Sequence, residues 1–215
     1  GPPGPNPNST PEPPEATPRP MDSATFEGLL QSSAHRKAPK GSNGSPDIAI
    51  IEFGDVECSS CRYSYQKVAK DFAEKIPVEF AFRHFPLPNH EYAKPCAQAL
   101  EAAAKQGKFW PLYASLFEEE TPLLNISYIQ QRAQKVGLNM DQFVKDSQNP
   151  ETAKLVDADE QIAHGLIVLR TPTFFILNRK AKKVDVAIGG KQLIEKLQGI
   201  PGVPSPPPSP TTNTK

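Results

Sequence analysis

One stretch, in which an apolar run leads into a helix that carries two cysteines, constrains the fold of this chain most. Residues 48–53 are apolar apart from Glu52, which is typical of a short strand buried on both faces. After a turn at 54–57, a helical pattern extends over residues 58–75, and residues 78–85 then alternate as a second strand. Strand, helix and strand at this spacing predict a βαβ unit with parallel strands and a right-handed crossover.

Two cysteines, Cys58 and Cys61, stand where the turn becomes the helix. The first turn of a helix presents unpaired N–H groups and a partial positive charge, both of which stabilise a thiolate. We therefore expect a lowered pKa for Cys58, which makes it the attacking sulfur. Cys61 lies one turn further along the same face, within reach of a disulfide with Cys58. A C-x-x-C pair beside a βαβ pattern is typical of thiol–disulfide redox chemistry.

Three other roles for this pair remain open. A zinc site needs further ligands, and the chain offers only Cys96 and four scattered histidines, with no second C-x-x-C. A structural disulfide across so short a loop would constrain the unfolded chain little. Two inert, buried cysteines are the third possibility, and their position at a helix start disfavours it. We predict no metal, no cofactor beyond the Cys58–Cys61 pair, and a buried, inert thiol for Cys96.

Composition excludes several classes of protein. The 215 residues include 24 basic and 24 acidic side chains, so the chain carries no net charge and shows no electrostatic footprint for nucleic acid. No apolar run is long enough to span a membrane, and we find no signal-peptide pattern. Three cysteines do not make a disulfide scaffold.

Proline separates the two ends of the chain from its middle. Of 25 prolines, nine fall in residues 1–20 and six in 201–215, and both segments lack large apolar residues. Such segments cannot bury a core, so we predict disordered, extended tails. The first tail suits a spacer or membrane tether, with an ordinary solvated tail or a ligand for proline-binding domains as alternatives. The middle, 21–200, is the length of one domain.

The rest of that middle segment is predominantly helical. A short helix is expected at 21–33, capped by Asp22 or Ser23, and a polar loop at 37–46. Further helices are predicted at 91–106, 109–117, 127–136, 140–147, 151–164 and 191–197. Residues 173–177 and 183–188 are predicted to form a hairpin. The element order is therefore βαβ, a block of helices, then ββα.

Four segments resemble the motifs of one family, in the same order. Residues 52–61 (EFGDVECSSC) resemble the active-site segment of DsbA-like thioredoxin-fold oxidoreductases, and 83–87 (RHFPL) resemble the end of their second strand. Residues 106–110 (QGKFW) resemble a junction in their helical domain, and 171–175 (TPTFF) the loop that carries their cis-proline.

The resemblance implies a fold and a division of the chain. The fold is α/β, a thioredoxin-like core (βαβ…ββα) with an inserted all-helical domain. The core would occupy residues of about 46–90 and 166–200, and the insert residues of about 91–165. This agrees with the element order.

The resemblance also implies roles for single residues. Thr171 and Pro172 would form a cis peptide opposite Cys58, with the Thr171 backbone pairing an extended substrate segment. An ordinary trans proline opening a strand is the alternative. Glu52 would be a buried acid whose raised pKa lets it exchange protons during the reaction. Its alternative is a carboxylate that reaches solvent at the strand end.

This chain departs from the family pattern at two places. Ser59 and Ser60 replace the proline and histidine of the family's strong oxidants, which leaves the oxidising strength open. Arg170 stands where relatives usually have glycine. Its positive charge could stabilise the thiolate or select acidic substrate segments, and an ordinary surface arginine is the alternative. Nearby charged residues are predicted to be solvated loop carboxylates (Asp55, Glu57) or structural or surface groups (His84, His90).

These observations predict a thiol–disulfide oxidoreductase that acts on cysteines of other proteins through a mixed disulfide. An oxidase in disulfide-bond formation is favoured, working as a monomer in the periplasm or cell envelope. The resemblance implies a membrane partner of the DsbB or VKOR type that returns electrons to quinone. A reductase or isomerase of the same fold is one alternative, and a redox-inactive binding module is another.

Overall fold

The structure is a computed structural model that describes residues 17–42 and 45–200. Most of the predicted first tail and all of the predicted second tail, 201–215, lie outside the described residues. The last residues of the first tail, 17–20, are described. Pro18 is buried, and the Arg19 amide donates to the Leu166 carbonyl at 2.8 Å, so these two residues contact the domain.

The described chain folds into strands and helices in the predicted order. The five strands are β1 (Arg36–Lys37), β2 (Ile48–Gly54), β3 (Val78–His84), β4 (Thr173–Asn178) and β5 (Lys183–Ile188). The helices are α1 (Ser23–Gln31), α2 (Ser59–Lys67), α3 (Ala93–Lys105), α4 (Phe109–Phe117), α5 (Ile126–Lys135), α6 (Met140–Ser147), α7 (Pro150–Gly165) and α8 (Gly189–Leu197).

The strands form one sheet in the order β1-β3-β2-β4-β5. β2 and β3 are parallel, which confirms the βαβ unit, and β4 and β5 form the predicted antiparallel hairpin. β4 also pairs antiparallel with β2, which places β2 at the centre of the sheet. β1 was missed, because two residues of a predicted loop are too few to show a pattern; it pairs antiparallel with β3 at the edge.

Both faces of the sheet are covered by helices. All seven residues of β2 are buried. Ile48 and Ile50 lie in the larger core cluster, which includes residues of α2, α8 and α3 to α6. Ala49, Ile51 and Phe53 lie in a second cluster with α1 and α7. This two-sided burial explains why the strand reads as a continuous apolar run.

The helix that follows the C-x-x-C pair is shorter than predicted. α2 ends at Lys67 instead of residue 75, since Val68 leaves helical geometry (φ −147°). A single 3₁₀ turn, Ala69–Asp71, follows, and Ala73 has a positive φ of 67°. Apolar side chains at these positions still reach the core, Phe72 being fully buried. Their spacing therefore mimicked a longer helix.

Five helices, α3 to α7, separate β3 from β4 in the chain. This is the predicted all-helical insertion into a thioredoxin-like core. α3 and α5 are each followed by a glycine that ends the helix: Gly107 and Gly137 have φ angles of 72° and 81°, the left-handed conformation that glycine adopts without strain. Within the described ranges, no helix combines the length and apolar character needed to cross a membrane.

Candidate active site

The two cysteines stand at the start of α2, as predicted. Cys58 is the N-cap residue, with extended backbone angles, and Ser59 begins the helix. The Cys61 amide donates to the Cys58 sulfur at 3.4 Å. A capping side chain normally offers oxygen to such an amide, so here a sulfur performs the role of the cap. All three cysteines of the chain are free thiols in the structure.

The surroundings of Cys58 favour its thiolate. The pKa of Cys58 is lowered to about 6, chiefly because the Cys61 thiol donates a hydrogen bond to its sulfur. Burial opposes this effect, and Thr171 and the amides of Cys61 and Ser60 add to it. Cys58 is therefore largely ionised at neutral pH and suited to be the attacking and leaving sulfur.

Cys61 has the opposite environment. It is 1% exposed, and burial raises its pKa well above the ordinary value, with further increases from Cys58 and Glu52. The Asp55 amide donates to its sulfur at 3.5 Å. A neutral, enclosed thiol beside an ionised one matches the division of labour expected of a C-x-x-C pair: Cys58 reacts with the partner and Cys61 resolves the intermediate.

The loop before β4 lies against Cys58. Phe53 pairs with Thr173 between β2 and β4, so the residues just before Thr173 reach the same edge of the sheet as the cysteine turn. The Thr171–Pro172 peptide is cis, as predicted. In its thiol form Cys58 donates to the Thr171 carbonyl at 3.4 Å. The predicted substrate loop therefore adjoins the reactive sulfur.

Glu52 lies in the central strand β2, six residues before Cys58 in the chain. It is 1% exposed, which excludes the alternative of a carboxylate that reaches solvent. Burial is the main cause of a pKa raised to about 8, and the negative charge of Cys58 adds to it. Oε2 has no hydrogen-bond partner among the described residues. Such a group is protonated at neutral pH and able to exchange a proton with a neighbouring thiolate.

Gly54 is needed next to Glu52, a requirement that sequence reasoning missed. A Cβ at Gly54 would lie 2.6 Å from a ring carbon of Phe82 and 2.9 Å from Oε1 of Glu52. Both distances are shorter than real contacts of this kind. The missing side chain thus leaves room for the buried carboxyl group, and the signal in the sequence was a glycine at the end of an apolar strand.

The three residues predicted to tune the redox strength of the cysteine pair, Ser59, Ser60 and Arg170, lie in different surroundings. Ser59 is exposed in the first turn of α2, and Ser60 contributes its backbone amide to the Cys58 sulfur. Arg170 is exposed, and its carbonyl accepts a hydrogen bond from the Thr173 hydroxyl at 2.7 Å. The influence of these three side chains on redox strength stays a prediction.

Of the two loop carboxylates predicted to be solvated, Asp55 is buried, so that prediction was wrong, and Glu57 is partly exposed. Asp55 is 2% exposed and accepts from the Glu57 amide at 2.8 Å, the Leu87 amide at 3.0 Å and His90 Nδ1 at 2.7 Å. Glu57 is half-buried and accepts from the Tyr92 amide at 2.9 Å. Both carboxylates hold the loop after β3. Their partners in that loop lie more than thirty residues further along the chain, so no local pattern in the sequence reveals these contacts.

His84 was predicted to be a structural or a surface group, and its burial favours the structural role. It belongs to a second polar cluster. His35 and His84 each contact Glu101 Oε1 through Nε2, at 2.7 and 2.8 Å. Among the described residues this is the one group of three metal-ligating side chains, and it does not include Cys58 or Cys61. Among the described residues, no third side chain joins Cys58 and Cys61 in a group of this kind, and the absence of zinc stays a prediction.

Cys96 also lies apart from the pair's chemistry. It is fully buried in α3, and burial raises its pKa far above the ordinary value. A thiol in such surroundings is inert at neutral pH, as predicted.

Known proteins resemble this chain both in sequence and in fold. The family model described as thioredoxin matches residues 40–196. The Na⁺/H⁺ antiporter NhaA 3 of Salinispora tropica is 30% identical over 134 residues, which are 62% of this chain and 20% of the antiporter. NhaA of Herminiimonas arsenicoxydans is 30% identical over 138 residues, 63% of this chain and 21% of that protein. The chain thus spans about a fifth of the length of these curated relatives.

Solved structures share the architecture. A thioredoxin-like oxidoreductase from Silicibacter pomeroyi is 25% identical, with a TM-score of 0.59, covering 74% of this chain and 90% of that protein. Alpha-DsbA1 of Wolbachia pipientis is 20% identical, with a TM-score of 0.64, and the match covers 79% of this chain and 92% of the Wolbachia protein. The chain belongs to the thioredoxin family, and its fold is that of the DsbA-like thiol–disulfide oxidoreductases.

Proposed function

We propose that this protein oxidises pairs of cysteines in other proteins by exchanging its Cys58–Cys61 disulfide. The observation that carries the proposal is the contrast within the pair, since the Cys58 pKa is lowered to about 6 while that of Cys61 is raised well above its usual value. Stabilising the Cys58 thiolate stabilises the dithiol form, which makes the disulfide the stronger oxidant.

The reaction has two steps. A substrate thiolate attacks Cys58 Sγ, the Cys58–Cys61 bond breaks, and Cys61 leaves as a thiolate that takes a proton from the Glu52 carboxyl group. A second substrate thiolate then attacks the substrate sulfur of the mixed disulfide and releases Cys58 as a stable thiolate. Two electrons pass to the protein and the substrate gains a disulfide. The backbone of Thr171, beside Pro172, pairs with the extended substrate segment.

This activity suits an extracytoplasmic compartment, where protein disulfides persist. Its substrates are cysteine-containing proteins, and turnover as an oxidase requires a partner that reoxidises the dithiol, in the manner of a quinone-linked membrane protein of the DsbB or VKOR type. The chemistry needs no cofactor beyond the cysteine pair. We propose that the protein acts as a monomer.

The test is the equilibrium of the pair with glutathione buffers, followed by trapping free thiols. We expect a reversible couple whose potential lies above roughly −270 mV, the thioredoxin value, and toward roughly −120 mV, the value of strong oxidants. Cys58→Ser should abolish exchange with a reduced protein substrate. Cys61→Ser, given a substrate that carries a disulfide, should accumulate the mixed disulfide, because Cys58 attacks and no second thiol resolves it. Cys96→Ala is the matched control and should exchange normally. Absence of a reversible couple would refute the proposal.

A reductase is the second candidate. The Ser59-Ser60 dipeptide lacks the residues of strong oxidants, and a Cys58 pKa of about 6 lies closer to that of thioredoxin, about 7, than to that of DsbA, about 3.5. A potential near −270 mV would favour reduction of substrate disulfides. Unchanged biological output from Cys58→Ser would instead favour a binding module without turnover.

A further inference from the structure

The loop after β3, residues 85–92, is fastened to the turn that carries the cysteines. The Leu87 amide donates to Asp55 Oδ2 at 3.0 Å, and the Tyr92 amide donates to Glu57 Oε2 at 2.9 Å. Two carboxylates of the turn therefore hold two points of the loop. The reaction proposed above assigns no role to either carboxylate or to this loop.

An ionisable side chain of the same loop shares this anchor. His90 Nδ1 lies 2.7 Å from Asp55 Oδ2, and the Glu57 amide donates to the other oxygen at 2.8 Å. The Asp55 side chain has no exposed surface, whereas that of His90 is 25% exposed. The imidazole is thus fixed on a buried carboxylate while solvent can still deliver and remove its proton.

The backbone of Asp55 contacts both cysteines. Its amide donates to Cys61 Sγ at 3.5 Å, and its carbonyl accepts from the Cys58 amide at 3.1 Å. One residue therefore joins His90 through its side chain and the redox pair through its main chain. A change at the imidazole reaches the cysteines through a single, closely packed residue.

Three acidic groups of the turn act on the charge of His90: Asp55 through a hydrogen bond, and Glu57 and the Cys58 thiolate through their charges. Burial lowers the pKa of His90, but the hydrogen bond and charge of Asp55, with smaller effects of Glu57 and Cys58, raise it overall. Its chain neighbour Glu91 is exposed, and Lys94 of α3 pairs with Asp157 at 3.3 Å. Of the three, only the thiolate charge disappears when the disulfide forms.

We propose that His90 and Asp55 form a positioning pair that couples protonation of the imidazole to the redox state of Cys58 and Cys61. This inference rests on the proposed redox function. Protonated His90 stabilises the dithiol form with Cys58 ionised. When the disulfide forms, two electrons pass to the oxidant, Cys61 gives up its proton and the thiolate charge is lost, so His90 holds its proton less tightly. Coupling of this kind is reciprocal.

The test separates charge from hydrogen bonding. His90→Asn keeps an N–H donor near the position of Nδ1 but cannot be charged, and His90→Ala loses both. His164→Asn, at an exposed histidine of α7, is the matched control. Each full-length variant is equilibrated with glutathione between pH 5 and 9. We expect His90→Asn to shift the pair roughly threefold to tenfold toward the disulfide relative to wild type.

The pH profile of this difference follows from the two charges. It should be largest between about pH 6, where Cys58 ionises, and the raised pKa of His90. It should fade below that window, where Cys58 is a neutral thiol, and above it, where His90 is neutral. A proton NMR titration should also give a higher His90 pKa in the dithiol protein than in the disulfide protein.

Each outcome decides between the two proposals. If the wild-type pair is reversible but His90→Asn matches wild type at every pH, the coupling is absent and His90 only holds the loop. Equal His90 pKa values in the two redox forms would overturn the inference in the same way. If the wild-type pair shows no reversible couple, the proposed function fails first.

Discussion

At the scale of single residues, the reactivity of this site comes from a difference between two chemically identical side chains. Cys58 caps α2 and receives hydrogen bonds, whereas Cys61 is enclosed and gives one. The helix start was the reason for expecting a lowered Cys58 pKa. The amides of that turn do contribute, but the Cys61 thiol contributes more. The second cysteine therefore activates the first even before it resolves a mixed disulfide.

Removing that thiol should raise the pKa of Cys58. In Cys61→Ala the sulfur of Cys58 keeps the backbone amides but loses its strongest hydrogen-bond donor. Thiolate absorbance in the ultraviolet should show a wild-type transition near pH 6 that moves upward by about one pH unit in the variant. Cys96→Ala should leave the transition in place. A transition still at pH 6 in Cys61→Ala would assign the activation to the helix start alone.

Glu52 should decrease stability at neutral pH. Its folded pKa of about 8 exceeds the ordinary 4.5, so the unfolded chain releases this proton first and stability falls as pH rises from about 4.5 to about 8. Glu52→Gln should therefore stabilise the dithiol protein by about 3 kcal/mol at pH 7 and leave it unchanged below about pH 4.5. Urea unfolding across this range measures the difference, with Glu151→Gln as an exposed control.

The same substitution should slow exchange, because Gln has no proton to give to the Cys61 thiolate. A loss of roughly a hundredfold in the rate at pH 7 is expected for a general acid. A stabilised variant that exchanges as fast as wild type would refute the proton-transfer role but not the burial. Glu52 would then lower the stability of the protein at neutral pH without speeding the exchange reaction.

At the scale of elements, the helix that carries the cysteines depends on a close approach of α8. A Cβ on Gly190 would lie 2.7 Å from Ser64 Oγ and 2.9 Å from Tyr63 Cδ1, both on α2. Gly190→Ala should therefore cost about 1–3 kcal/mol of stability, since α2 or α8 must move. Gly28→Ala is the matched control: it lies in α1 with open space around it and should gain up to about 1 kcal/mol. Thermal unfolding compares the two variants. Equal effects would mean that the packing is not tight.

Elements with their own periodic signal were predictable, and contacts between elements were not. β2, β3 and the β4–β5 hairpin follow from apolar runs and alternation, and the glycines after α3 and α5 mark helix ends. The break after Lys67 escaped because the next apolar residues keep a helical spacing while the backbone does not. The burial of Asp55 and its pairing with His90 depend on how the loop after β3 returns to the turn. No pattern within either segment contains that information.

At the scale of the whole molecule, one buried cluster joins the sheet to the helical insertion. His35 precedes the edge strand β1, His84 ends β3, and Glu101 lies in α3. Both histidines contact one carboxylate oxygen, and His35 stacks on Phe109 of α4 with ring centroids 3.7 Å apart. Beside the apolar core, a buried carboxylate therefore contributes to holding the insertion to the sheet.

Glu101→Gln should loosen this junction in a pH-dependent way. Burial raises the pKa of Glu101, but the hydrogen bonds from His35 and His84 outweigh it and lower the pKa to about 2. Because the folded pKa is depressed, this stabilisation is present above about pH 4.5 and is lost as pH falls toward 2. The free energy of unfolding of the variant should be about 3 kcal/mol below that of wild type at pH 7, and this difference should vanish in acid. Urea unfolding at several pH values measures it, again with Glu151→Gln as control. If the difference in the free energy of unfolding stays constant from pH 7 to pH 3, the loss comes from poor hydrogen-bond geometry of the glutamine amide. The charge of Glu101 would then not hold the insertion to the sheet.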